Sequence, residues 1–170
     1  MYYRSNEIHL HSILRRLPHA VAVMQGGPRN RYLGGTVKFY QTGDGVLVVA
    51  DILGLPEAAD ACSPNVFAFH IHGGGACTRN GGGNSEDPFA DAGSHYNPTD
   101  CPHPAHAGDM PPLFGAGGRA FLAFLTDRFT VREILGKTVI IHDGLDDFTT
   151  QPSGNAGNKI ACGVISEVRR

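Results

Sequence analysis

Six of the nine histidines in the chain fall between residues 70 and 142, and their spacing is the most informative feature of the sequence. His70 and His72 flank Ile71 in the strand-like run Val66–His72. Side chains alternate along a strand, so the two imidazoles share one face while Phe69 and Ile71 turn the other face toward a core. A polar stretch further on holds His95, then His103, His106 and Asp109. Three imidazoles and a carboxylate make a complete tetrahedral ligand set for Zn²⁺. His142 ends the apolar run Thr138–Ile141. Together with His70, His72 and one loop histidine it forms an all-imidazole set. Nitrogen donors suit Cu²⁺ as well as Zn²⁺, so donor type alone does not choose between them.

These side chains need a scaffold, and the sequence reads as a β one. Residues 6–17 can form a short helix ended by Pro18, which sets off residues 1–18 as an N-terminal extension to a domain spanning 19–170. Period-two patterns then predict strands at Ala20–Met24, Gly35–Gln41 and Val46–Leu53, the last two joined as a hairpin through Gly43-Asp44-Gly45. Further strands are expected at Val66–His72, Arg119–Thr126, near Phe129–Ile134, at Thr138–His142 and at Lys159–Ile165. Two irregular stretches, Gly73–Gly118 and Asp143–Asn158, carry much of the polar chemistry. The first is so poor in apolar residues that it needs another source of order, and metal binding supplies one. Eight short strands with two long loops suggest an all-β, antiparallel sandwich or flattened barrel.

Composition agrees with this class and excludes others. Gly 23 and Pro 11 in 170 residues are a fifth of the chain, against about 12% on average, which favours turns and loops over a helical bundle. A formal net charge of −2 leaves no basic footprint for nucleic acid. No apolar run approaches the ~20 residues of a membrane-spanning helix. The first residues do not read as a signal peptide, because Arg4, Glu7, Arg15 and Arg16 interrupt any apolar segment, so a cytoplasmic location is expected. Cys62, Cys77, Cys101 and Cys162 contain no CxxC pair.

Five motifs in one order give these observations a common meaning. FHIH at 69–72, AGSHYNP at 92–98, HAGDM at 106–110, IIHDGLDD at 140–147 and GNAGNKIACGVI at 154–165 resemble the copper–zinc superoxide dismutase family. The resemblance runs from about residue 20 to 166. It implies a Greek-key β-sandwich or flattened barrel, an architecture known for this family. Carried over by motif, His70, His72, His95 and His142 resemble copper ligands, and His95, His103, His106 and Asp109 resemble zinc ligands. His95 would then bridge the two ions, and Asp146 resembles the outer carboxylate that fixes the tautomers of His70 and His103. Cys77 and Cys162 resemble the family's disulfide, which would contribute roughly 2–5 kcal/mol. Cys62 and Cys101 fall outside that pattern, either paired with each other or free.

The activity implied is disproportionation of superoxide to dioxygen and hydrogen peroxide through Cu(II)/Cu(I) cycling, with His95 carrying a proton as the bridge opens and closes. The family places an arginine near the copper mouth where this sequence has Lys159. A lysine supplies the charge without the planar fork, which implies lower efficiency. Only Pro104 and Ala105 separate His103 from His106, a tight zinc loop for the family. A second reading uses the same ligands: a zinc-stabilised protein that carries or stores copper with little turnover. A zinc hydrolase is a weaker third, since no general base is apparent beside the site. The resemblance also allows a homodimer and a copper chaperone as partners.

Overall fold

The computed structural model describes residues 10–60, 62–78 and 87–169. Strands β1 (Ala20–Gly26), β2 (Gly34–Thr42) and β3 (Gly45–Leu53) run consecutively and pair antiparallel in the register Ala20↔Phe39 and Phe39↔Val48. The alternation read from the sequence carries through. Ala20, Ala22 and Met24 of β1 and Val37 and Phe39 of β2 are buried, while Val23 and Lys38 face outward. The chain then crosses to the opposite edge as β4 (Val66–Phe67) and β5 (Phe69–His72), and returns through β6 (Leu113–Phe114) and β7 (Arg119–Thr126). It crosses once more to β8 (Thr138–His142) and closes with β9 (Lys159–Glu167).

The main sheet has the order β5-β8-β9-β1-β2-β3-β7, and β4 pairs with β6 in a separate ribbon. Its neighbouring strands are antiparallel, and the long crossings β3 to β5 and β7 to β8 are Greek-key connections. The sheet curls around a core that includes Phe39, Ile52, Phe69, Ile71, Leu113, Val139, Ile141 and Ile165. The fold is therefore the all-β sandwich or flattened barrel that the sequence pattern predicts.

Two local departures have physical causes. The strand expected near Phe129–Ile134 is a helical turn, α2 (Val131–Ile134). Thr130 caps it: its hydroxyl accepts from the Glu133 amide while the Glu133 carboxylate accepts from the Thr130 amide, a reciprocal capping box. Val131 and Ile134 still reach the core, so apolar pressure is met by a helix as well as by a strand. The run Val66–His72 is divided at Ala68, whose amide donates to Gly144 and whose carbonyl accepts from His142.

Of the expected N-terminal helix, residues 6–9 lie outside the described residues, and α1 spans Leu10–Leu14. Ile13 packs on Tyr40, Leu47 and Val49, the outward face of β2 and β3. Cys77 and Cys162 form a disulfide across a sequence separation of 85, which ties the first long loop to β9. Closing a loop that long stabilises by about 4–5 kcal/mol in the chain-entropy model. Cys62 and Cys101 are free.

Candidate metal centre

The centre is assembled on the open edge of β5. Phe69 and Ile71 turn into the core, which leaves His70 and His72 together on the other face, both buried. Since β5 is an edge strand, its outer backbone groups need partners, and the first long loop provides them. The Ile71 amide donates to Gly108, Tyr96 donates back to Ile71, and Gly73 donates to Ser94. His95 and Asp109 are thereby laid beside the strand, in bridge pairs His72↔His95 and His70↔Asp109. Gly108 has to be glycine here, because a Cβ would run into the Ile71 carbonyl and the Tyr96 side chain. His142 arrives from β8, where the pairing with β9 shifts register between Ile141 and His142 and sets His142 opposite Lys159.

Two clusters of candidate donors result. His70, His72, His95 and His142 form one, and His95, His103, His106 and Asp109 the other, with the donor atoms of each lying within 4.8 Å of one another. His95 belongs to both. Its Nδ1 lies 2.8 Å from Asp109 Oδ1 and 3.4 Å from His106 Nδ1. Its Nε2 is buried with no hydrogen-bond partner. In the first cluster His72 Nε2 and His142 Nε2 are 3.3 Å apart.

Four of the other ring nitrogens are bonded in a way that fixes their rings. His72 Nδ1 donates to the Gly93 carbonyl and His142 Nδ1 to the Gly157 carbonyl. Asp146 lies between the clusters, accepting from His70 Nε2 at 2.7 Å and from His103 Nε2 at 2.8 Å. The Phe148 amide also donates to Asp146. With those nitrogens engaged, His70 Nδ1 is left buried and without a hydrogen bond, and His103 Nδ1 faces Asp109 Oδ2 at 3.0 Å.

This donor set fits metal ions. A metal–nitrogen bond of about 2.0–2.1 Å separates tetrahedral ligands by roughly 3.3 Å, which matches the observed nitrogen–nitrogen spacings. Buried polar atoms without partners are rare in proteins and call for an explanation, and here two of them, His70 Nδ1 and His95 Nε2, are imidazole nitrogens inside the clusters. The electrostatics agree. Burial first, and the facing His142 second, push His72 down to about 2. Burial and the neighbouring His70 push His142 down to about 3. Burial also lowers His70 against the pull of Asp146. Neutral imidazoles are the ligating form. Burial works to raise both carboxylates, but hydrogen bonds to the histidines outweigh it and lower Asp109, and lower Asp146 to about 2.

Several residues that order the centre carry no sequence signal of their own. Arg128, just past β7, reaches the loop that carries the second cluster with one nitrogen, Nη1, which donates to the carbonyls of Pro104, His106 and Asp109 at 2.9, 3.2 and 3.3 Å. Gln151 clasps His103 twice, accepting from its amide and donating to its carbonyl. Gly154 passes so close to Asp146 and His103 that a Cβ would collide with both.

A pocket of about 540 Å³ opens over the first cluster, lined by His72, His95, His142 and Lys159 among others. Lys159, singled out from its sequence position, is one of the residues lining this pocket.

Comparison with known proteins places this geometry in context. A family model described as copper/zinc superoxide dismutase (SODC) matches residues 33–165. A Cu-Zn superoxide dismutase of Aquifex aeolicus is 33% identical over 146 residues, covering 77% of this chain and 78% of the relative. One from Photobacterium leiognathi is 33% identical over 141 residues, with 77% and 78% covered. The human copper chaperone for superoxide dismutase is 32% identical over 163 residues, covering 90% of this chain and 54% of the relative.

Proposed function

The chain belongs to the copper/zinc superoxide dismutase family, and we propose from that membership and the two joined clusters that it disproportionates superoxide. Two superoxide anions and two protons give one dioxygen and one hydrogen peroxide. His70, His72, His95 and His142 would hold copper, and His95, His103, His106 and Asp109 would hold zinc. Copper supplies the one-electron couple that the reaction needs, whereas zinc does not change valence.

The protein's own part is to position, to exclude water and to manage protons. Burial keeps His70, His72 and His142 neutral and ready to donate lone pairs. Asp146 holds the Nε2 protons of His70 and His103, which turns both Nδ1 atoms toward the clusters. His95 is tied by Nδ1 to Asp109 and presents its unpartnered Nε2 to the first cluster. That atom is suited to take a proton and return it during turnover. Lys159 adds a positive charge at the pocket where a small anion enters.

The observation that carries this reading is the shared imidazole, since a simple storage site has no need of a ring common to two clusters. A second reading is favoured by the human relative, which is named a copper chaperone. It takes the same donor set as a copper-carrying site with little turnover. Superoxide consumption after copper and zinc loading separates the two. Copper-dependent consumption far above that of free buffer supports the dismutase, and full copper occupancy with background consumption supports the carrier.

A further inference from the structure

Lys159 is not a free cation. Its Nζ donates to Asp87 Oδ2 at 2.6 Å and to the Phe89 carbonyl at 3.3 Å. Its side chain is 14% exposed and that of Asp87 is 40% exposed. Both residues line the pocket over the first cluster, and so does Asp100. An anion approaching that mouth meets a paired charge and an additional carboxylate. The field of such a pair falls off faster with distance than that of a lone ammonium, so little long-range attraction survives.

Asp87 also has a structural role. Its Oδ1 accepts from the Phe89 amide at 3.1 Å, immediately before the short 3₁₀ turn Ala90–Ala92. That turn leads to Gly93, whose carbonyl orients His72. One carboxylate thus orders the loop with one oxygen and holds Lys159 with the other.

We propose that Asp87 is a positioning residue that latches Lys159 across the pocket mouth and sets how strongly small anions are drawn to the first cluster, a role that rests on the dismutase reading of this site. The Lys159 backbone sits opposite His142 in the β8–β9 pairing and its Nζ also donates to the Phe89 carbonyl, so an ammonium freed from Asp87 stays tethered at the pocket. Release of the latch therefore strengthens attraction and does not move the charge elsewhere.

The test uses the full chain loaded with copper and zinc, and azide as the anion probe, followed by its absorption on binding copper. Asp87→Asn keeps an oxygen for the Phe89 amide and removes the charge, whereas Asp87→Ala removes both. Asp87→Asn is expected to bind azide roughly three- to tenfold more tightly than the parent. Its superoxide rate should also fall more steeply with added salt. The further change Lys159→Gln in the Asp87→Asn background should abolish that gain. Unchanged azide affinity and salt dependence in Asp87→Asn overturn the latch. So does azide binding that is lost in Asp87→Ala and unchanged in Asp87→Asn, which would assign Asp87 to loop order alone. If the parent consumes superoxide only at background while Asp87→Asn still gains azide affinity, the latch stands and the dismutase reading falls.

Discussion

Replacing Arg128 with alanine should weaken zinc binding while leaving the copper-type cluster assembled. Nη1 carries two hydrogens and has three carbonyl acceptors, those of Pro104, His106 and Asp109, so two bonds are formed at a time. Hydrogen bonds from a charged donor are worth about 1.5–3 kcal/mol each when buried. Arg128 is largely exposed, which screens its charge. The loss is then about 1–2 kcal/mol in total, equivalent to roughly a five- to thirtyfold weaker zinc affinity if the loop must be ordered on binding. His70, His72 and His142 are fixed by β5 and β8 and by their own bonds to Asp146, Gly93 and Gly157, and should hold copper as before. Competition with a chromophoric zinc chelator measures the affinity, and copper is counted separately. Arg128→Lys, which keeps a charge on a shorter side chain, should fall between the parent and Arg128→Ala. A zinc affinity within twofold of the parent in Arg128→Ala would refute the reasoning.

Three further outcomes follow from the same geometry. Gly154→Ala should displace Asp146 from His103 and place a side chain at φ +69°, costing about 2 kcal/mol or more in apparent melting stability together with zinc retention; a variant that melts with the parent and keeps its zinc would contradict this. Lys159→Arg should raise the superoxide rate two- to fivefold, by the order of one added hydrogen bond, because a guanidinium can bond Asp87 and still present donors to the mouth; an unchanged or lower rate counts against it. Metal-free protein should lose stability as pH falls from about 6.5 toward about 3, because unfolding lets His72 and His142 take up protons that burial denies them in the fold. Urea midpoints should therefore drop through that window, and a flat profile from pH 6.5 to 4 would be inconsistent with buried neutral rings.

How legible the molecule is from its sequence depends on the range of each interaction. The faces of β5 could be read directly, because strand alternation is local and separates His70 and His72 from Phe69 and Ile71 within four residues. Membership of His95 in both clusters needed the family motifs, since no local rule brings residues 70, 95, 103 and 142 together. The turn at Val131–Ile134 carried a readable signal in Thr130-x-x-Glu133, yet its apolar positions also suited a strand. Arg128, Gln151 and Asp87 were not legible at all. Each acts on backbone or side-chain groups 19 to 72 residues away, through contacts that exist only after the sheet has curled and the loops have docked.

The account depends most on the ring at residue 95, and a crystal structure of the copper- and zinc-loaded protein, with anomalous data collected at both metal edges, examines it directly. Copper is expected at His95 Nε2 beside His70, His72 and His142, and zinc at His95 Nδ1 beside His103, His106 and Asp109. A single ion, or a pair of ions of which at most one touches that ring, would contradict the account.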